Sequence, residues 1–232
     1  MQYIAPFYRV ALCLGLKGAK ESTRFVCPLE SVIDVVRHLL AAVPVDEKWY
    51  IEKYPDVRQA LNRSLHFKSA TQHYIAVGYF DGRLPFERET EEVRYPLAFS
   101  ALKKGLKAIP VRGQMMVEFS YREFLDLIRR VIAATPVDAA WYLRLYPEVS
   151  GGISRGHFRS AREHFLWSGY FENRLPFEMR IDEDWYISAY EDLKAVKRSN
   201  PSFSAAHHFV HFGYREGRRP HPLALESIFG AL

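Results

Sequence analysis

Val45-Asp46-Glu47-Lys48-Trp49-Tyr50, running on into Tyr54-Pro55-Asp56-Val57, returns twice further along the chain. Val137-Asp138-Ala139-Ala140-Trp141-Tyr142 leads to Tyr146-Pro147-Glu148-Val149, and Ile181-Asp182-Glu183-Asp184-Trp185-Tyr186 leads to Tyr190-Glu191-Asp192-Leu193. The likeness continues through Ser69-Ala70 with His73-Tyr74, Ser160-Ala161 with His164-Phe165, and Ser204-Ala205 with His208-Phe209. Each copy closes on glycine, arginine and proline: Gly78, Arg83, Pro85; Gly169, Arg174, Pro176; Gly213, Arg218, Pro220. So many matches in one order point to internal duplication, which governs every later assignment of the fold.

Working outward, the stretch before the first copy also has a counterpart. Val32-Ile33, Val35-Val36 and Leu39-Leu40 correspond to Phe124-Leu125, Leu127-Ile128 and Val131-Ile132, both runs ending in Ala-Ala-x-Pro-Val-Asp. Further upstream, Ala11-Leu12-x-x-Gly15-Leu16-Lys17 resembles Ala101-Leu102-x-x-Gly105-Leu106-Lys107. The expected organisation is a long unit over 1–89, a second long unit over 90–178 and a truncated third over 179–232.

Local signals make these units helical. Apolar residues at 32, 33, 36, 39, 40 and 43 form one stripe at helical spacing. Asp46, Asp138 and Asp182 stand where an N-cap belongs, a carboxylate there being worth about 1 kcal/mol. Ser120-Tyr121-Arg122-Glu123, Ser69-Ala70-Thr71-Gln72 and Ser160-Ala161-Arg162-Glu163 have the form of capping boxes. Pro55 and Pro147 end one short helix at the preceding tyrosine and open the next; Glu191 lacks that proline, so the third copy is expected to start its second helix differently. Gly78 and Gly169 are read as C-cap glycines, with a compact turn after them. Only Arg24–Cys27 and Gln114–Phe119 read as short strands. The expected fold class is therefore mainly α, in tandem helical repeats that share an elongated core.

The 232 residues suffice for one large or two modest domains. A hydrophobic fraction of 48% and a charged fraction of 25% are globular values that argue against extensive disorder. Cys13 and Cys27, the only cysteines, exclude a disulfide framework. The start lacks a basic region followed by a long apolar run and cleavage site, so no signal peptide is expected. With no uninterrupted apolar run of about 18 residues, no spanning helix is expected either, and the expected location is cytoplasmic.

His73, His164 and His208 share one position, but one histidine per copy does not assemble a zinc site; they read as imidazoles bonded within their own copy. His207, His208 and His211 cluster in the third copy alone. Arg83, Arg174 and Arg218 are candidate ligand contacts through their planar forks, against internal bonds to loop carbonyls or to Asp56, Glu148 and Asp192. Trp49, Trp141 and Trp185 with their tyrosines can stack on sugar rings, though their spacing behind a cap fits core. No glycine-rich phosphate loop, GxSxG or HExxH is present, so neither an enzyme nor a cofactor is expected. The net charge of +5, with Lys103, Lys104 and Lys107 interleaved with apolar residues, admits nucleic acid or an anionic membrane surface as partner. Lys17 and Lys20 repeat that mixture more thinly.

The string D-x-x-W-Y-x-x-x-Y-P-D-V, then S-A-x-x-H-Y-x-x-x-G-Y-x-x-x-R-x-P, resembles a short bacterial module. It is appended to some glycosyltransferases of surface-polysaccharide synthesis and to some exported calcium-binding repeat proteins. The resemblance covers about 45–87, 137–178 and 181–222, and it implies an accessory rather than a catalytic part. The expected function is accordingly a non-catalytic interaction or scaffold protein with a protein partner. A carbohydrate-binding module and a nucleic-acid binder are the alternatives.

Overall fold

In the structure, a computed structural model that describes residues 2–16, 19–20, 23–63, 67–90 and 94–222, short helices dominate. Lys17 and the last ten residues of the third unit lie outside the described residues. Helices α1 (Phe7–Cys13) and α2 (Leu29–Leu40) precede the first motif. That motif forms α3 (Glu47–Lys53), α4 (Pro55–Arg63) and α5 (Ala70–His73), and α5 opens into a wide π turn over Tyr74–Gly78. After α6 (Phe99–Lys104) and α7 (Tyr121–Ile132), the second motif forms α8 (Ala139–Leu145), α9 (Pro147–Ser154), α10 (Ala161–His164) and a π turn over Phe165–Gly169. The third forms α11 (Glu183–Ala189), α12 (Glu191–Ser199), α13 (Ala205–His208) and a π turn over Phe209–Gly213. Among the described residues no helix is long and apolar enough to cross a membrane.

The caps behave as the sequence dictates. Asp46, Asp138 and Asp182 accept the backbone N–H of Trp49, Trp141 and Trp185 at 3.0, 2.9 and 3.0 Å. Ser69, Ser160 and Ser204 accept the N–H three residues on, at 3.2, 3.1 and 3.2 Å. Ser120 and Glu123 form the reciprocal box. In the other two expected boxes the third-position side chain reaches one residue further back: Gln72 accepts from the Lys68 N–H and Glu163 from the Arg159 N–H.

Two expectations need correction. The second helix of the third motif does not start differently: α12 begins at Glu191, with Tyr190 at φ −123°, beside −123° for Tyr54 and −125° for Tyr146. The Tyr190 hydroxyl accepts the Arg219 N–H at 2.8 Å and its ring lies 4.8 Å from the Arg218 guanidinium, so tertiary contacts hold the extended backbone without proline. Nor are Gly78 and Gly169 left-handed C-caps: neither has a positive φ, and the turn runs through each, as through Gly213, into a right-handed tyrosine. A tyrosine explains the glycine. A Cβ on Gly78, Gly169 or Gly213 would sit 2.0, 2.1 or 2.0 Å from the hydroxyl of Tyr50, Tyr142 or Tyr186. The left-handed place comes four residues later, at Gly82 (φ 78°), Asn173 (56°) and Gly217 (75°).

Both expected strands form, as β1 (Arg24–Pro28) and β3 (Gln114–Ser120), and an unexpected β2 (Lys107–Val111) joins them in the antiparallel order β1-β3-β2. Pro110 and an exposed surface hide β2 from a periodicity reading, and both suit an edge strand. A two-residue turn with Arg112 at φ 49° and Gly113 at 82° closes its hairpin.

Val26 and Glu118, 92 positions apart, meet across this sheet. The register of β1 on β3 is symmetric about Val26 opposite Glu118, and α2 packs on α7 beside it. The first helices are exchanged: Phe7 packs on Tyr170 and Phe171 with ring centroids at 5.9 and 5.0 Å, while Phe99 packs on Tyr79 and Phe80 at 6.2 and 4.8 Å. The Tyr170 hydroxyl donates to the Ala5 carbonyl at 3.1 Å and the Tyr79 hydroxyl to the Leu97 carbonyl at 2.6 Å. Contacts therefore cross the boundary between residues 89 and 90 in both directions. The buried core cluster extends from Tyr3 to Tyr214.

Candidate functional site

In each motif the first helix delivers a tyrosine at its N4 position, the last residue of the third short helix a histidine, the π turn after it a glycine, and the closing loop an arginine. Tyr50, Tyr142 and Tyr186 are fully buried, and their hydroxyls lie 3.3, 2.9 and 3.1 Å from Nδ1 of His73, His164 and His208. Burial raises all three phenols well above the ordinary range and holds all three imidazoles below theirs, with the neighbouring guanidinium adding to the second effect. The histidines are thus kept as neutral hydrogen-bonding partners, and they are spread through three separate motifs. Among the described residues no three His, Cys, Asp or Glu side chains gather as a metal site.

The arginines are held internally, which removes Arg83, Arg174 and Arg218 as free contacts. Arg83 grips Asp56 at 3.1 and 2.7 Å, and Arg218 grips Asp192 at 3.0 and 2.7 Å. Arg174 pairs with Glu148 and with Glu172. Each guanidinium also lies over a tyrosine ring, Tyr54, Tyr146 or Tyr190, at 5.0, 4.8 and 4.8 Å. Their fork geometry serves the closing loop: the same tyrosine hydroxyls accept the N–H of Leu84, Leu175 and Arg219. Asp46, Asp138 and Asp182 then donate their own N–H groups to the carbonyls of Pro85, Pro176 and Pro220, so each loop is stitched to the start of its motif. The three carboxylates stay mostly exposed, which limits each ion pair to about 1 kcal/mol or less.

The tryptophans follow the core reading: Trp141 is buried, and Trp49 and Trp185 are partly buried against the core. Of the three lysines, Lys103 and Lys104 are exposed at the C-terminal turn of α6, where cations suit the helix dipole. Lys107 is engaged, donating to Glu118 at 2.8 Å beside Arg24 at 3.1 Å, and this ion triplet corrects its reading as an open contact. Behind Lys103 and Lys104, α6 and α7 leave a recess of about 140 Å³, with Leu102, Leu106 and Leu127 among its lining residues and Glu123, Asp126 and Arg130 its charged groups.

Among the described residues, the most exposed aromatic side chains are not ones that the recurring pattern marks. Trp167 is 59% exposed, and the Arg129 guanidinium lies 4.7 Å from its ring and 5.0 Å from that of Phe171. Phe212 is 55% exposed in the same turn of the third motif. The signal was available: aligning the π turns puts Trp167 where the other copies have Ala76 and His211, and a large residue at a position that varies is not holding the unit together. No protein family, curated protein or solved structure matches this chain.

Proposed function

We propose that the chain is a tandem helical-repeat protein, with two long units and a truncated third sharing an elongated core. We propose further that it acts in the cytoplasm as a non-catalytic interaction or scaffold subunit, accessory to a bacterial polysaccharide-synthesis or envelope machine. One observation carries the reading: the polar residues that recur in all three motifs are bonded to one another inside their own motif. What faces solvent differs from copy to copy, with Trp167, Phe212, Lys103 and Lys104 as examples. Chemistry that recurs serves the unit; side chains that vary at its surface serve contacts. The resemblance to the polysaccharide-associated module supports the setting.

The test is quantitative cross-linking of the full chain in its own cells, comparing wild type with Lys103→Glu/Lys104→Glu and Trp167→Ala. A reproducible protein partner lost from at least one variant is the expected result. Unchanged recovery of every partner in both variants, or turnover of a sugar nucleotide by the purified chain, overturns the reading. The exposure of Trp167 favours a second reading, carbohydrate binding by stacking. Calorimetry with acidic polysaccharides separates the two, since scaffolding predicts no heat that depends on Trp167.

A further inference from the structure

The third motif departs from the other two at two positions of one helical turn. Its third residue after the serine cap is His207, where the first and second motifs carry Gln72 and Glu163. Those two side chains accept the backbone N–H of Lys68 and Arg159 and so tighten the entry to the helix. A histidine has given up that cap. Four residues on stands His211, where the other motifs carry Ala76 and Trp167. The two substitutions face each other: both side chains are exposed, and their ring centroids are 4.3 Å apart with planes inclined at 37°.

His207 in α13 and His211 in the π turn that follows are four residues apart and so share one helical face. The two tilted imidazoles lie exposed to solvent, whereas His208, between them in sequence, is turned inward to Tyr186. Paired histidines at i and i+4 on one face present two nitrogen donors to one ion, as in metal-binding helices, and imidazole suits borderline divalent transition metals.

We propose that His207 and His211 form a bidentate site for such an ion, Zn²⁺ or Ni²⁺, with its remaining positions held by water. No third His, Cys, Asp or Glu joins them among the described residues, so the site is open on the solvent side. A second, partner-supplied donor can enter there by displacing water.

The experiment is calorimetric titration of the full chain with NiCl₂ and ZnCl₂ near neutral pH. The variants borrow the first motif's own residues: His207→Gln restores the cap residue found at Gln72, and His211→Ala the residue found at Ala76. Neither should unfold the chain, which far-UV dichroism checks. His157→Gln removes a solitary exposed histidine as the control. The expected result is one equivalent bound by wild type and by His157→Gln, and a loss of affinity of about tenfold or more in each of the other two, because a chelate is reduced to a single donor. Absence of binding by wild type at millimolar metal overturns the proposal, as does any smaller loss in either variant, which marks the binding as adventitious.

Discussion

Tyr170 and Tyr214 follow Gly169 and Gly213 in the same way, and both rings are buried, yet their hydroxyls are treated differently. Tyr170 donates to the Ala5 carbonyl at 3.1 Å, and Tyr79, its counterpart in the first motif, does the same for Leu97. Tyr214 is buried with no partner for its hydroxyl. The two long segments exchange their first helices and therefore bring a carbonyl to this tyrosine; the third motif is not preceded by such a helix. The recurring motif sets up the contact, and the extra length of the long segments completes it.

The largest effect should come from what the three motifs share. Replacing Gly169 by alanine puts a methyl 2.1 Å from the Tyr142 hydroxyl and 3.3 Å from His164 Nδ1, with no flexible side chain to yield. We expect a loss of about 3 kcal/mol in urea unfolding. Gly169→Ala combined with Tyr142→Phe should recover part of it, since the nearest ring carbon would then be 3.4 Å away. A double variant no more stable than Gly169→Ala alone would show that the hydroxyl is not what excludes the methyl.

The next prediction sharpens the comparison itself. Tyr170→Phe removes a bond to a buried carbonyl and should cost about 1–2 kcal/mol. Tyr214→Phe removes an unpartnered hydroxyl and should be neutral or stabilising by up to about 1 kcal/mol. Tyr74→Phe belongs with it: this hydroxyl is also buried without a partner, and the other two motifs already carry Phe165 and Phe209 there. In a chain of this size 1 kcal/mol moves Tm by about 2–4 °C, so thermal scans can rank the three variants. Equal losses for Tyr170→Phe and Tyr214→Phe would break the distinction drawn between long and short copies.

Much of this was legible from residues that act locally. An aspartate at a helix start accepts an N–H from its own first turn, a local bond, and Asp46, Asp138 and Asp182 do so. The packing glycines were found by their recurrence but given the wrong cause, because a close approach between Gly169 and Tyr142 spans a distance in sequence that no local rule sees. The exchange of first helices was hidden for the same reason. The upstream match of Ala11-Leu12 with Ala101-Leu102 runs two residues out of step with the contacts that equate Phe7 and Phe99. Strand β2 escaped because an edge strand with a proline and one wet face carries almost no periodic signal. The exposed Trp167 carries no recurrent signal, since the matching positions hold Ala76 and His211, and a surface contact is marked by what varies between copies.

The smallest expected effect is a shared one. Burial first, and then the nearby guanidinium of Arg83, Arg174 or Arg218, lowers the pKa of His73, His164 and His208 in the folded chain relative to their ordinary 6.5. A depressed histidine binds fewer protons folded than unfolded, so its contribution is intact above about pH 6.5 and is lost as pH falls toward the folded value. Carboxylates facing these rings, Asp56, Glu148 and Asp192 with Asp81, Glu172 and Glu216, pull the other way, and His207 adds to the depression at His208 alone. All three histidines still come out low, so their losses add. The urea midpoint should fall between pH 7.5 and 5.5, before the lowered Asp56, Glu148 and Asp192 begin to take up protons. His164→Gln, which cannot titrate, should start lower at pH 7.5 and show a shallower decline; a decline as steep as wild type would mean that the Tyr142–His164 pair does not sense acid.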